Sequence, residues 1–263
     1  MSDILKDKHF AFNVWDFESA KAVIDAGARC NKDVILQTSA SIYKRIAAKS
    51  FSMFVKEYSI EKGIRAWLNL DHCKEKELLM DAVDNGWDMI MADGSSYNVE
   101  KNIEFVNDIS KYAHERGVLV EGEVGQIIGT EDDINVIKEC VASKEDIKNF
   151  VGQTEVDFIA VAFGNAHGEY VGVPTFRYDL IDYTIEISNK PFVVHGASGM
   201  PKLALDKLLG IQGVKKINIS TDIKKAYRRG IKNANINLQP IKISSSIYEE
   251  VVKEAMSKLE LIK

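Results

Sequence analysis

The chain has 263 residues, of which 46% are hydrophobic and 28% are charged, with a formal net charge of −5 and a pI near 5.7. That acidic balance argues against nucleic-acid binding, which usually requires a basic surface. No segment approaches the roughly 20 apolar residues that span a membrane, and the N-terminus lacks the apolar core of a signal peptide. Scattered cysteines (Cys30, Cys73 and Cys140) do not suggest a disulfide framework. We therefore expect a cytoplasmic globular protein.

Short apolar segments alternate with longer helical patterns along the whole chain. Several of these segments are nearly continuous apolar runs, as is typical of parallel strands that are covered on both faces. The predicted strands are 10–14, 33–38, 65–71, 88–93, 118–124, 157–163, 191–196 and 215–220.

Residues that commonly begin helices lie between the predicted strands. Ser246 is followed three residues later by Glu249, as in a capping box before an amphipathic C-terminal helix. The first of the predicted helices should extend until just before Gly63. The predicted helix starts are Ser39, Asn98, Ser143, Pro201 and Ser246.

Strands that are each followed by a helix predict an α/β fold, a single (β/α)8 TIM barrel that occupies residues 1–263 as one domain. The alternative is a doubly wound sheet, which would need a glycine-rich turn after its first strand to bind a dinucleotide. The segment "AFNVWDFESAK" contains no glycine, so the barrel is favoured.

Histidines follow three of the predicted strands, at the barrel end where active sites form: His72, His167 and His195. Three neutral imidazoles can bind a divalent metal and leave one position open for water or substrate. A single histidine at a strand end is more often capped or solvated, and His9 and His114 keep that interpretation. The convergence of the other three predicts a metal site.

The glycine-containing turn "HGASG" (195–199) follows the seventh predicted strand, and "NIST" (218–221) ends the eighth. Barrels often bind a phosphate group at these turns through backbone N–H groups and a helix N-terminus. Gly196 and Gly199 would let the backbone approach an anion, and Ser198 and Thr221 could donate hydroxyls. Each turn alone could be an ordinary tight turn, but the two together predict a phosphate site.

The segment "EGEVGQIIGTEDD" (121–133) follows the fifth predicted strand. Its glycines predict a mobile loop, and Glu131 lies on the acidic tip of that loop. Most acidic loop tips are simply solvated. A loop that closes over a metal site could instead bring Glu131 into position for proton transfer.

The motifs "LDHC", "MADGSS", "EGEVG", "AVAFGNAHG", "VVHGASG" and "KINIST" occur in the order found in class II, metal-dependent ketose-bisphosphate aldolases. The resemblance extends from about Phe10 to Arg229. It is closest to the subgroup that holds tagatose-bisphosphate aldolases and the shorter fructose-bisphosphate aldolases. A member of this family reversibly cleaves a ketose phosphate to dihydroxyacetone phosphate and an aldehyde, and is expected to be a homodimer or homotetramer.

The resemblance implies that His72, His167 and His195 bind one catalytic Zn²⁺. Asp71 would be the acid/base at the C4 hydroxyl of the ketose, and Glu131 would move a proton at C3 of dihydroxyacetone phosphate. The carboxylates near an alternative metal position would be Asp93 and Glu123. The substrate and phosphate site, with a monovalent cation (Na⁺ or K⁺), would comprise Asn13, Ser39, Gly168, Gly196, Ala197, Ser198, Asn218, Ile219, Ser220 and Thr221.

The chemistry of cleavage agrees with these roles. Breaking the C3–C4 bond leaves an enediolate, whose negative charge a Lewis-acidic metal can stabilise without a Schiff-base lysine. No lysine stands out at a predicted strand end within the barrel. A carboxylate beside a metal ligand, as Asp71 is beside His72, can take the hydroxyl proton.

The sequence departs from the family pattern at three places. Ser220 replaces the acid that fructose-bisphosphate members usually have, and Ile128 stands where a Gly–Gly pair is usual. The C-terminal "DPR"-type stretch is absent, and Lys224 occupies the place of an arginine that often binds the distal phosphate. Lys224, Arg228 and Arg229 could equally well just solvate a helix. The aldehyde half of the substrate is therefore left open.

Three other classes of protein compete with this interpretation. A barrel metal hydrolase would not need two phosphate-binding turns. A non-catalytic aldolase-like subunit should have lost Asp71, a metal histidine or Glu131, and the sequence retains all of them. A related aldolase that acts on another phosphorylated keto sugar or keto acid stays open.

Overall fold

The computed structural model describes residues 4, 6–131, 134–136, 141–170, 174–234 and 239–262, with the side chains of 130, 131 and 134–136 left out. Cys140 lies outside these ranges. The strands are β1 His9–Asn13, β2 Val34–Ser39, β3 Ala66–Cys73, β4 Met89–Ala92, β5 Leu119–Val124, β6 Ile128–Glu131, β7 Ile134–Val136, β8 Phe158–Val161, β9 Ala166–His167, β10 Phe192–Val194 and β11 Val214–Ile219.

A closed parallel barrel is formed by eight of these strands, in the order β1-β11-β10-β8-β5-β4-β3-β2. Every predicted strand overlaps one strand of this barrel, so the predicted (β/α)8 architecture is confirmed. The helices that lie between and after the strands cover its outer face. They are α1 Phe17–Cys30, α2 Ala40–Tyr43, α3 Ala48–Glu61, α4 Lys76–Asp84, α5 Val99–His114, α6 Lys144–Gln153, α7 Tyr178–Ser188, α8 Lys202–Gly210, α9 Thr221–Asn233 and α10 Pro240–Leu259.

Two of the predicted helix caps are confirmed by hydrogen bonds. The side chains of Asn98 and Ser143 accept backbone N–H groups at the starts of α5 and α6. Ser39 precedes α2 without a side-chain cap, and the single helix predicted from there to Gly63 is in fact two helices, α2 and α3. Pro201 is the residue before α8 rather than the first residue within it.

The predicted capping box at Ser246 is wrong. Helix α10 begins six residues earlier, at Pro240, whose fixed φ suits a first helical turn. Ser246 therefore lies inside the helix, and its Oγ donates a 2.9 Å hydrogen bond to the carbonyl of Gly230 on α9. The hydroxyl that looked like a cap instead joins two packed helices.

The lower half of the barrel interior, towards the N-terminal ends of the strands, is filled by apolar side chains. Because side chains alternate between the two faces of a strand, residues two apart share the interior. Most polar residues of the same interior faces lie nearer the C-terminal ends, although Lys216 pairs in register with Val193 of β10. The apolar plug consists of Ile4, Ala11, Ile35, Met89, Leu119, Phe158, Ala160 and Val193.

A small second sheet has the strand order β7-β6-β9. The segment predicted as a mobile loop thus contains strand β6, which pairs with β9 through Ile128 and Ala166 and through Gly129 and His167. Gly129 has φ of +110°, and a Cβ there would lie 2.0 Å from the carbonyl oxygen of His167. The close approach requires glycine at this position. Within the described residues, no helix is both long and apolar enough for a membrane span.

Candidate active site

The residues predicted from the strand ends lie at the C-terminal face of the barrel. Most of these residues are buried. Gly168, Thr221 and Lys224 are partly exposed. The buried members are Asn13, Ser39, Asp71, His72, Asp93, Glu123, His167, His195, Ala197, Ser198, Asn218, Ile219 and Ser220.

The three predicted histidines form one cluster. Ring nitrogens of His72, His167 and His195 all lie within 4.8 Å of one another. The ring of His72 is 4.6 Å from that of His195 and 5.0 Å from that of His167, measured between centroids. Their planes are steeply inclined, at 70° and 77°. Nitrogens on inclined rings can converge on a common point, as a tetrahedral metal site needs.

Carboxylates bind the outer nitrogens of two of these rings. Asp93 Oδ2 lies 3.1 Å from Nδ1 of His72, and Glu121 Oε1 lies 2.6 Å from Nε2 of His195. The inner nitrogens, Nε2 of His72 and Nδ1 of His195, are 2.9 Å apart. Metal-binding histidines usually donate their outer N–H to a carboxylate, so this donor set fits a zinc ion.

The backbone of β3 is distorted where it presents His72. This residue has φ of +45°, which is uncommon for a non-glycine residue. The pairing of β3 with β4 also shifts register between Leu70 and Cys73. Backbone strain of this kind persists where the surrounding structure enforces it, and it often accompanies functional sites.

A second group of possible ligands comprises His72, Asp93 and Glu123, whose ligand atoms lie within 4.8 Å of one another. Burial and the nearby charge of Asp93 raise the pKa of Glu123 well above its ordinary value. Burial also acts to raise the pKa of Asp93, but the hydrogen bond and charge of His72 outweigh it and lower that pKa. Ser95 donates a 2.6 Å hydrogen bond to Asp93 Oδ1 and holds this carboxylate in place.

Gln37 is a site residue that the sequence reasoning missed. Its Nε2 donates hydrogen bonds to Oδ2 of Asp71, at 2.9 Å, and to Oδ1 of Asn13, at 2.7 Å. Gln37 therefore links the predicted acid/base to a predicted substrate-binding residue. Alternation along β2 could have found it, because Gln37 shares a strand face with Ser39.

Lys216 is a second residue that the sequence reasoning missed, and it lies deeper in the barrel than Gln37. Its side chain is fully buried in the barrel interior, and its Nζ lies 2.8 Å from Oε2 of Glu121. Burial acts to raise the pKa of Glu121, but Lys216 and His195 outweigh it and hold that pKa at about 2. Lys216 is in the middle of β11, not at its end, so a search of strand ends does not reveal it.

The predicted phosphate turns lie side by side. Gly196 has φ of +66°, and a Cβ there would be 2.1 Å from the carbonyl oxygen of Ala166. Ser198 Oγ accepts the backbone N–H groups of Ser220 and Asp222, both at 3.2 Å, and so joins the two turns at the start of α9. The Ser220 hydroxyl is buried, and it has no hydrogen-bond partner among the described residues.

The other predicted residues, Lys224, Arg229 and Glu131, lie in three different environments. Lys224 Nζ lies 5.9 Å from the ring centroid of Trp15, beside the first turn of α9. Arg229 instead forms ion pairs with Glu250 and Glu254 on α10, and these contacts join α9 to α10. The backbone of Glu131 ends β6, but its side chain is outside the described part of the chain.

A closed (β/α)8 barrel with three converging histidines at its C-terminal face has the fold and the donor set of a metal-dependent barrel enzyme. Residues 8–263 match the family model of class II fructose-bisphosphate aldolase, and the chain belongs to this family. It is accordingly a lyase of the aldolase type.

Individual relatives agree with this assignment. The chain is 30% identical over 224 residues to a sulfofructosephosphate aldolase from Alkalicoccus urumqiensis, an alignment that covers 84% of this chain and 78% of the relative. A solved structure from Coccidioides immitis has a TM-score of 0.89 at 22% identity and covers 98% of this chain and 91% of its own. The YdjI aldolase from Escherichia coli K12 has a TM-score of 0.83 at 24% identity, with coverages of 99% and 94%. These two structures support the fold.

Proposed function

We propose that this protein is a zinc-dependent aldolase that reversibly cleaves a ketose phosphate or bisphosphate to dihydroxyacetone phosphate and an aldehyde. The observation that carries the proposal is the pair of inner histidine nitrogens, 2.9 Å apart, on rings whose outer nitrogens contact carboxylates. His72, His167 and His195 would hold the zinc. Bound there, zinc supplies a Lewis acid that stabilises the negative charge developing on the dihydroxyacetone phosphate half.

Asp71 moves the proton of the C4 hydroxyl in this proposal. Asp71 is buried and directly precedes His72 in the sequence. Its Oδ2 accepts a hydrogen bond from Nε2 of Gln37. A fixed carboxylate within reach of a hydroxyl can act as a general base in cleavage and as a general acid in the reverse direction. Glu131 transfers the proton at C3, and the pairing of β6 with β9 supports this role because it brings the backbone of this segment against His167.

The phosphate of dihydroxyacetone phosphate lies against the two joined turns, near the start of α9. Gly168 and Gly196 both have positive φ, which glycine adopts readily, and the N-terminus of α9 favours an anion. A Na⁺ or K⁺ ion beside the phosphate is part of the same proposal. The proposed phosphate residues are Gly168, Gly196, Ala197, Ser198, Asn218, Ile219, Ser220 and Thr221.

The distal half of the substrate is proposed to be of the tagatose- or fructose-bisphosphate type. Ser220, rather than an acid, supports a site that does not exclude the tagatose configuration. Lys224 would hold the distal anion as a point charge rather than as a bidentate fork. The relative named for sulfofructose phosphate favours a second candidate, a keto sugar phosphate that carries another anionic group at its distal end. A cytoplasmic location and a homodimer or homotetramer complete the proposal.

The test combines metal analysis with a cleavage assay. The purified protein is loaded with zinc, and dihydroxyacetone phosphate release is measured for the bisphosphates of fructose, tagatose and sorbose, for sulfofructose phosphate and for a deoxy-keto acid phosphate. We expect release from at least one of these, with the His195→Ala variant inactive. A zinc-loaded protein that cleaves none of them would overturn the proposal.

A further inference from the structure

A buried ion pair lies beneath the histidine cluster, inside the barrel. Lys216 and Glu121 are both fully buried, and they contact each other at 2.8 Å. Such barrels are normally filled by branched apolar side chains, and burying two charges carries a large desolvation cost. Packing alone therefore does not account for the pair.

The second carboxylate oxygen of Glu121 connects the ion pair to His195. Oε1 of Glu121 lies 2.6 Å from Nε2 of His195. Because a carboxylate only accepts hydrogen bonds, Nε2 carries the ring proton and Nδ1 is left with its lone pair. That Nδ1 is the nitrogen which faces His72.

We propose that Lys216 is a positioning residue that acts on His195 through Glu121. Lys216 fixes one oxygen of Glu121, so that the other oxygen faces the imidazole. Glu121 in turn fixes the ring orientation and the tautomer whose Nδ1 can bind a metal. The inference rests on the proposed function, since it takes His195 as a zinc ligand.

A buried lysine in an aldolase barrel has one chemical alternative, which is a Schiff base with the substrate carbonyl. The geometry opposes it. Lys216 pairs in register with Val193, a member of the apolar plug, so its backbone lies two residues below His195 along β10. Its ammonium group contacts Glu121 rather than facing the mouth of the barrel.

The first measurement is the tautomer of His195, read from the nitrogen-15 shifts of its ring in the zinc-free protein. We expect the Nε2–H tautomer in the wild type and a mixture of tautomers in Lys216→Met and Glu121→Gln. The second is zinc affinity, measured by competition with a chromophoric chelator. Outer partners of metal-binding histidines typically contribute about 10- to 100-fold in affinity, so each variant should bind zinc more weakly by that factor.

Lys190→Met is the matched control. Lys190 is partly buried and donates to the backbone carbonyl of Val156, and it precedes β10 at the N-terminal end of the barrel. We expect this variant to keep the wild-type tautomer and zinc affinity. If Lys216→Met does not fold, the double variant Glu121→Gln/Lys216→Met, which buries no charge, should show the same mixed tautomer and weaker binding.

Two outcomes overturn the inference. One is a wild-type tautomer together with wild-type zinc affinity in both variants. The other is a substrate-derived adduct on Lys216 after borohydride reduction, which would make it a Schiff-base lysine. Failure of the proposed function gives a different result: the wild-type protein would not bind zinc or cleave a ketose phosphate, while the tautomer measurement would still report on Lys216.

Discussion

Gly129 lies directly against the backbone of His167: a Cβ at position 129 would be 2.0 Å from the His167 carbonyl oxygen. The φ of Gly129, +110°, is also one that other residues rarely adopt. The strand that ends in Glu131 is thus attached to the strand that carries a proposed metal ligand.

Gly129→Ala should therefore displace β6 from β9. We expect a destabilisation of more than about 1 kcal/mol from strain and lost pairing, together with reduced cleavage activity. The matched control is Gly152→Ala in α6, where a Cβ would meet nothing within 4 Å and the helix should gain stability. Thermal unfolding and retro-aldol rates check both variants. Equal stability of Gly129→Ala and the wild type would contradict the described pairing.

Replacing His195 with alanine should remove both bound zinc and activity, because the proposed site then has only two histidines. His114→Ala is the control, since this histidine binds Asp157 on the outer surface of the barrel at 2.9 Å. It should keep zinc and activity. Metal content and cleavage rate are measured on the same preparations. Full zinc occupancy in His195→Ala would rule out the proposed ligand set.

Asp71→Ala should keep zinc but lose cleavage, since a general acid/base typically contributes about 10²- to 10⁴-fold. Gln37→Met tests the support of this carboxylate. The variant removes the 2.9 Å hydrogen bond to Asp71 and should lower kcat less than Asp71→Ala does. An Asp71→Ala protein with zinc bound and a wild-type rate would assign proton transfer to another group.

Glu131→Ala is expected to keep zinc and slow the exchange of the C3 proton of dihydroxyacetone phosphate with solvent. Glu155→Ala, which removes an exposed acid before β8, is the control. Proton exchange followed by deuterium incorporation distinguishes this step from C–C cleavage. If the exchange rate of Glu131→Ala equals that of the wild type, Glu131 is only a solvated residue.

Ser220→Asp should shift substrate preference towards fructose 1,6-bisphosphate. Ser220 is buried, and its hydroxyl has no partner among the described residues, so a substrate hydroxyl can be its partner. An acid that binds one C4 epimer penalises the other by about 1–3 kcal/mol through an unpaired polar group. A shift of roughly tenfold in the ratio of kcat/KM values corresponds to about 1.4 kcal/mol.

The control for this prediction is Ser220→Ala, which removes the hydroxyl without adding charge. It should change the ratio for the fructose and tagatose bisphosphates much less than Ser220→Asp does. A wild type that already prefers the fructose compound strongly, with no change in Ser220→Asp, would show that another residue determines the C4 configuration. Lys224 would then be the next residue to test.

The barrel could be predicted because its buried strands are apolar runs and its polar residues follow at the strand ends. Gln37 and Lys216 escaped that reasoning since each lies within its strand (VILQTS and VKKINI) rather than at the strand end. Gln37 shares a strand face with Ser39, and Lys216 shares one with Asn218. Only this alternation indicates that the two side chains point into the barrel. The pairing of β6 with β9 joins residues far apart in sequence, and the local pattern of glycines could not specify the partner.

The apolar plug in the lower barrel has a kinetic consequence. The lower interior is filled by side chains such as Phe158 and Met89. A ketose that enters from the C-terminal face is therefore cleaved to fragments that both leave through that same face. The substrate and the aldehyde product thus pass through the same open end of the barrel. A product that has not yet left therefore blocks the entry of the next substrate molecule.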